Sequence, residues 1–267
     1  MVTTNIGKIK DRNVACELGK NFASANSYPK SESAYKIYKE HTNAIVKAID
    51  YWFPIKRYIE CLEMGGANGA LISDLTTFYR NKGIELVFTN VDQDSSLLAK
   101  DSISQCKIVS RLEDLSLKRR YDVVLMRYVL QYNDSKTQGE IIGKVCDALK
   151  DDGIFVLHHC GASNEEHRGR LEHIFSDVVS KKLKRNGGHC STWEEVEAIL
   201  EANNLDVHTL ERYQLSIRDL FKNRYDLTEN QDKKLHDLLG VYDFIDYIIS
   251  VNRKNQPSHL SLPGRGS

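Results

Sequence analysis

The 267-residue chain carries 37 Lys plus Arg against 37 Asp plus Glu, so there is no net field to gather a polyanion, which argues against a dedicated nucleic-acid binder. A hydrophobic fraction of 41% suffices for one large α/β core, and no apolar run approaches the roughly 20 residues that a membrane span requires. The opening Met1-Val2-Thr3-Thr4-Asn5 lacks a secretory apolar stretch and the six scattered cysteines contain no CxxC pair, which leads to the expectation of a reduced, cytoplasmic protein.

Residues 1–30 are polar and poorly periodic and read as a flexible lead-in. From Ser33, Ala34, Ile37, Tyr38, Ala44, Ile45, Ala48 and Ile49 recur at helical spacing until Pro54 bars continuation. Strand signals then alternate with helical ones. The strands are Tyr58–Met64, Ile84–Val91, Cys106–Ser110, Tyr121–Met126 and Gly153–His159, and the helices are Ala70–Asn81, Ser95–Ser104 and Lys136–Leu149. Such alternation implies right-handed βαβ units and a parallel sheet, with Gly83 and Gly153 expected to end helices before strands. Beyond His159 the spacing predicts a helix over Glu165–Leu183 and a capping box at Thr192-Trp193-Glu194-Glu195 opening another. Strands follow at Leu205–Arg212 and Phe244–Val251, with a helix over Ile217–Leu239 between them and a disordered tail over 255–267.

The passage Glu60-Cys61-Leu62-Glu63-Met64-Gly65-Gly66-Ala67-Asn68-Gly69 joins a strand to a helix through a glycine-dense turn, where a ligand can approach bare backbone. Gly69-Ala70-Leu71 stands where a P-loop needs Gly-Lys-Ser/Thr, and the glycine spacing is wrong for the dinucleotide fingerprint. Asp92 ends the second strand, followed by Gln93; a carboxylate there can accept from both hydroxyls of a ribose. Asp94 could substitute, or cap the helix that follows.

Glu63, Gly65, Ala67 and Gly69 resemble the acid and G-x-G-x-G of motif I in the class I S-adenosylmethionine (SAM)-dependent methyltransferases. Ala67 replaces the middle glycine, a change compatible with a negative φ. Asp92, the loop Ser110–Leu115, the stretch Tyr121–Tyr132 and Ala148–Leu157 resemble, in order, the later motifs of that family, from about Ile59 to His159. The resemblance implies a Rossmann-like doubly wound, mostly parallel seven-stranded sheet with helices on both faces, an N-terminal helical cap and a helical insertion before the last strand. One domain would occupy residues 31–254, its cofactor half about 55–160 and its acceptor elements 31–54 and 161–240.

The implied cofactor is SAM, leaving S-adenosylhomocysteine (SAH), held by Glu63, Gly65, Gly66, Ala67, Gly69, Asp92 and Gln93. Leu112 and Glu113 would edge the adenine. Arg127 would either meet the SAM carboxylate or form a surface ion pair. Candidate bases are His158 or His159, only one of which faces the site because strand residues alternate, and His189 in a glycine loop that could close as a lid. Tyr28, Tyr35, Tyr38 and Tyr132 are candidate acceptor contacts. The His and Cys spacings do not suggest a metal site.

The expected function is methyl transfer to an O or N atom of a small molecule, with natural-product tailoring as the suggested context, no membrane partner, and a monomer or homodimer. Rival readings are an RNA or protein methyltransferase, against which stands Arg127-Tyr128-Val129-Leu130 in place of an NPPY-like tetrapeptide, and a non-catalytic SAM-binding regulatory subunit.

Overall fold

The computed structural model describes residues 32–53, 56–118, 120–169, 172, 188–215, 229, 233 and 244–253. The elements in chain order are α1 (Glu32–Trp52), β1 (Tyr58–Met64), α2 (Ala70–Asn81), β2 (Glu85–Asp92), α3 (Ser95–Leu98), β3 (Cys106–Val109), β4 (Tyr121–Arg127), a 3-10 turn (Leu130–Tyr132), α4 (Ser135–Ala148), β5 (Leu149–Gly161), α5 (Trp193–Ala202), β6 (Leu205–Leu215) and β7 (Phe244–Arg253). They form one seven-stranded sheet of order β3-β2-β1-β4-β5-β7-β6. The pairs among β1–β5 are parallel, and β7 runs antiparallel to both β5 and β6.

Strand alternation sorts the core into two layers. Ile59, Cys61, Phe88, Val123, Leu125, Ile154 and Val156 face α1 and α2, meeting Ile45, Ile49, Leu71 and Leu75. Leu62, Met64, Val91, Val124, Met126, Phe155 and Leu157 face α4 and α5, meeting Ile141, Val145, Val196 and Leu200. Burial on both faces explains why these strands read as continuous apolar runs.

Two local expectations are corrected. The helix expected over Ser95–Ser104 stops at Leu98, because the Asp101 carboxylate takes the backbone amides of Ile103 (2.9 Å) and Ser104 (3.1 Å), bonds that compete with helical ones. Gly153 does not end a helix. The strand already begins at Leu149, paired with Tyr121, and the register shifts between Tyr121 and Val123. Gly153 lies inside β5, where a Cβ would stand 2.9 Å from the Tyr121 carbonyl oxygen.

Thr192 caps α5 with the expected reciprocal bonds: its amide donates to Glu195 Oε2 at 2.8 Å and the Glu195 amide to Thr192 Oγ1 at 3.4 Å. Residues 165–169 are helical; the rest of the helix expected over Glu165–Leu183, apart from helical residue 172, lies outside the described residues. The helix expected over Ile217–Leu239 lies outside them except at residues 229 and 233, and the lead-in 1–30 and tail 255–267 fall there entirely.

At the amino edge of the sheet Asp122 is fully buried at the start of β4. It accepts from the Glu60 amide (2.8 Å), from Lys150 Nζ (3.0 Å) and from Lys56 Nζ. Burial alone would raise its carboxyl, but these partners outweigh it and hold the group below the usual carboxylate range. This network lies opposite the edge that carries the glycine turn and ties β1, β4 and β5 together.

Candidate functional site

The strand register gathers the motif residues into one rank. Met64 of β1 pairs with Val91 of β2 and Met126 of β4, and Met126 pairs with Leu157 of β5. The next residues along, Asp92, Gly65, Arg127 and His158, therefore stand side by side at the carboxyl edge, where doubly wound sheets bind ligands. Alternation places Glu63, Asn90, Arg127 and His158 on the α1–α2 face.

The turn is tied to β2. Gly65 and Gly66 amides donate to the Val91 carbonyl at 2.7 and 3.3 Å, and Gly69 N donates to Gly66 O at 2.9 Å. Gly65 and Gly69 have φ of 78° and 73°, which strain any side chain. Ala67 also has a positive φ, 46°, so the condition under which a methyl is readily tolerated there, a negative φ, is not met. Its conformation is held from both sides: Ala67 N donates to Asp92 Oδ2 at 3.0 Å and Ala67 O accepts from Asn90 Nδ2 at 3.3 Å. Its methyl is buried, at 1% exposure, and so faces protein.

Asp92 is half-buried, and its Oδ1 accepts from the Asp94 amide at 2.9 Å. Burial raises its carboxyl more than the bonds from Asp94 and Ala67 lower it. A carboxylate offers about four lone-pair sites, so beyond the backbone bonds from Asp94, Ala67 and Gln93 capacity for a hydroxyl remains. Asp94 caps α3, taking the amides of Ser96 and Leu97 at 2.9 and 3.3 Å.

Beneath the turn lies a buried polar layer that sequence reading missed. Asn90 Nδ2 donates to Asp101 Oδ2 at 2.8 Å, and Asp101 sits under Gly69, where a Cβ would be 2.6 Å from its carboxyl carbon. Burial would raise Asp101, but bonds from Ser104, Asn90 and the Ile103 amide win and keep it below the usual range. For Glu63, burial dominates and pushes the carboxyl up to about 8, with Arg127 opposing and Asp101 and Asp92 adding to the rise.

His158 is 1% exposed; its ring meets His41 of α1 edge-on at 4.5 Å and Tyr128 at 4.2 Å. Burial first and the Arg127 guanidinium second hold it well below the ordinary imidazole range, so it is neutral. Tyr128 itself has φ 55°, and its amide donates to the His158 carbonyl at 2.9 Å. His159 is fully buried, on the α4–α5 side by alternation.

His189 is placed differently. Its Nδ1 lies 2.9 Å from Glu172 and its Nε2 3.2 Å from Glu195. Its amide donates to Asn133 O at 3.0 Å and its carbonyl accepts from Gln138 at 2.7 Å. These contacts dock the loop on the segment after β4, and none of them reaches the glycine turn.

Leu112 is buried in the α4–α5 layer, and Glu113 pairs with Arg111 at 3.3 Å. Gln93 and Tyr132 are half-buried, Gln93 just beyond β2 and Tyr132 in the 3-10 turn. Tyr35 and Tyr38 belong to α1, and Tyr28 lies outside the described residues. Among the described residues no three His, Cys, Asp or Glu side chains gather as metal ligands.

Residues 37–210 match a family model described as a methyltransferase domain. No curated protein matches the chain in sequence. Similar solved structures include the YcgJ protein from Bacillus subtilis, at 13% identity over 81% of this chain and 99% of that one, with a TM-score of 0.58. A geranyl diphosphate methyltransferase in complex with SAM aligns at 11% identity over 86% of this chain and 94% of that one, with a TM-score of 0.56. A Haemonchus contortus phosphoethanolamine N-methyltransferase in complex with SAH aligns at 13% identity over 79% of this chain and 52% of that one, with a TM-score of 0.56. At these identities the likeness is one of fold.

Proposed function

The chain belongs to the class I SAM-dependent methyltransferase family, whose cofactor is SAM, and from that premise we propose that it methylates an oxygen or nitrogen atom of a small molecule. The observation that carries the reading is the rank Asp92–Gly65–Arg127–His158 at the carboxyl edge, above a turn with no Cβ at Gly65, Gly66 or Gly69.

The residues present fit the cofactor. Asp92 retains acceptor capacity for a ribose hydroxyl, and the glycines let the turn pack down on Val129, Asn90, Glu63 and Asp101 at the carboxyl edge. Leu112 and Glu113 would edge the adenine, and Arg127 would serve the carboxylate end. SAM supplies a methyl already activated on a sulfonium, so positioning and electrostatics carry most of the catalysis. His158 then acts as a neutral ring shaping the acceptor side with His41 and Tyr128, and its low basicity favours acceptors that lose their proton readily. Tyr35 and Tyr38, on the helix that brings His41 to β5, would line the acceptor space with Tyr132.

A small acceptor is supported by the zero net charge and by fold relatives whose names specify small substrates, geranyl diphosphate and mitomycin among them. The test is calorimetric titration with SAM and SAH, followed by mass-spectrometric assay against phenols, carboxylates, amines, bulk RNA and protein. Binding with turnover of a small acceptor supports the reading; absence of binding by both ligands, or turnover confined to RNA or protein, refutes it.

A further inference from the structure

The side chains under Gly66 pose a hydrogen-bonding problem. A Cβ built on Gly66 would lie 2.4 Å from Asn90 Oδ1 and 2.8 Å from Glu63 Oε2, so both oxygens converge on one point. Each is buried, and neither has a hydrogen-bond partner among the described residues. The Asn90 amide cannot turn to relieve this. Its nitrogen donates to Asp101 Oδ2 and to Ala67 O, both obligate acceptors, so its oxygen must face Glu63. An ionised Glu63 would then set a buried charge against a carbonyl oxygen with no donor between them, an arrangement that costs several kcal/mol by the usual desolvation penalties. A single proton on Glu63 satisfies both atoms.

We propose that Glu63 and Asn90 form a proton-holding pair beneath the glycine turn: in the cofactor-free protein Glu63 Oε2 donates a proton to Asn90 Oδ1, and that proton passes to solvent when SAM binds. The inference rests on the reading of this turn as the SAM site. The charged groups around Glu63 are Arg127 from β4, Asp92 at the end of β2 and Asp101 beyond α3. The two aspartates oppose a third anion, and Arg127 alone does not outweigh them together with burial. SAM brings a sulfonium and an ammonium against one carboxylate, a net positive charge that favours the ionised acid. Cofactor affinity is thereby coupled to pH through a residue that need not touch the reacting atoms.

The expected linkage is a SAM affinity that rises about tenfold per pH unit from pH 5.5 to 7 in the wild type, the slope for release of one proton. Calorimetry of SAM binding at pH 7 in buffers of different ionisation enthalpy should show close to one proton released by the wild type. Glu63→Gln, which keeps the shape and offers a permanent N–H to Asn90, should release none and bind with a pH-flat affinity. Intact SAM binding without proton release in the wild type would overturn the proposal and leave the cofactor reading standing. The free wild-type protein gives an independent answer: the Glu63 carboxyl carbon should titrate above pH 7 by ¹³C NMR. Titration among the ordinary glutamates, with the carboxyl carbon assigned by through-bond correlation to the Glu63 backbone, would overturn the proposal even if the variant failed to fold or SAM failed to bind.

Discussion

Gly66→Ala isolates the contribution of close packing under the turn. The added methyl would sit 2.4 Å from Asn90 Oδ1 and 2.8 Å from Glu63 Oε2, well inside van der Waals contact. Neither neighbour can yield cheaply. Asn90 is held by Asp101 at 2.8 Å and Glu63 is 3% exposed. Overpacking of this kind costs about 1–3 kcal/mol. Taking about 2 kcal/mol, a domain of this size should lose about 4–8 °C in Tm. Because the clash is relieved by lifting the turn, SAM affinity should weaken by about tenfold, corresponding to about 1.4 kcal/mol. Gly139→Ala in α4 is the matched control: nothing lies within 4 Å of its Cβ, so the alanine should be neutral or stabilise by up to about 1 kcal/mol. Scanning calorimetry and SAM titration of both variants read the difference. A Gly66→Ala protein with wild-type Tm and affinity would refute the packing argument.

Asp92→Ala should weaken SAM binding by about 1.5–3 kcal/mol, as for lost bonds to a charged group, and should also lower Tm because the Ala67 amide loses its acceptor; unchanged affinity would remove Asp92 from the ribose role. Asp122 has a folded pKa below 3.8, so its stabilisation is present above that value and lost as pH falls through the lower folded one. Asp122→Asn should therefore flatten the acid limb of the stability curve while leaving SAM affinity unchanged, since the residue lies at the opposite edge. Thr192→Ala removes a capping box and should cost about 1 kcal/mol in urea unfolding. His158→Ala and His159→Ala should differ in kcat at saturating SAM because the two side chains face opposite layers; equal rates close to wild type would dismiss both as site residues.

Much of the fold was legible because its signals are local. The boundaries of β1 and α2 follow from an apolar run broken by glycine and resumed at helical spacing, and the box at Thr192 and Glu195 declares itself by residue type and separation. Ser95–Ser104 misled because helical propensity was overridden by one carboxylate. Asp101 takes the amides of Ile103 and Ser104 and lies under Gly69, a demand set by a contact more than 30 residues away in sequence. The φ of Ala67 was not legible for a similar reason: the residue is held by Asp92 and Asn90 of β2, more than 20 residues on. His41 carried no sequence signal at all, since a histidine in a periodic helix is unremarkable until α1 is laid against β5.

By itself the sequence determined the alternation of strand and helix, the glycine turn and the acid at the end of β2, because periodicity, backbone freedom and strand-end chemistry are written in neighbouring residues. Tertiary structure alone decided which oxygens meet beneath the turn. Glu63, Asn90 and Asp101 come from separate segments, and only burial together makes their hydrogen-bond count, and the proton it calls for, a property of the protein.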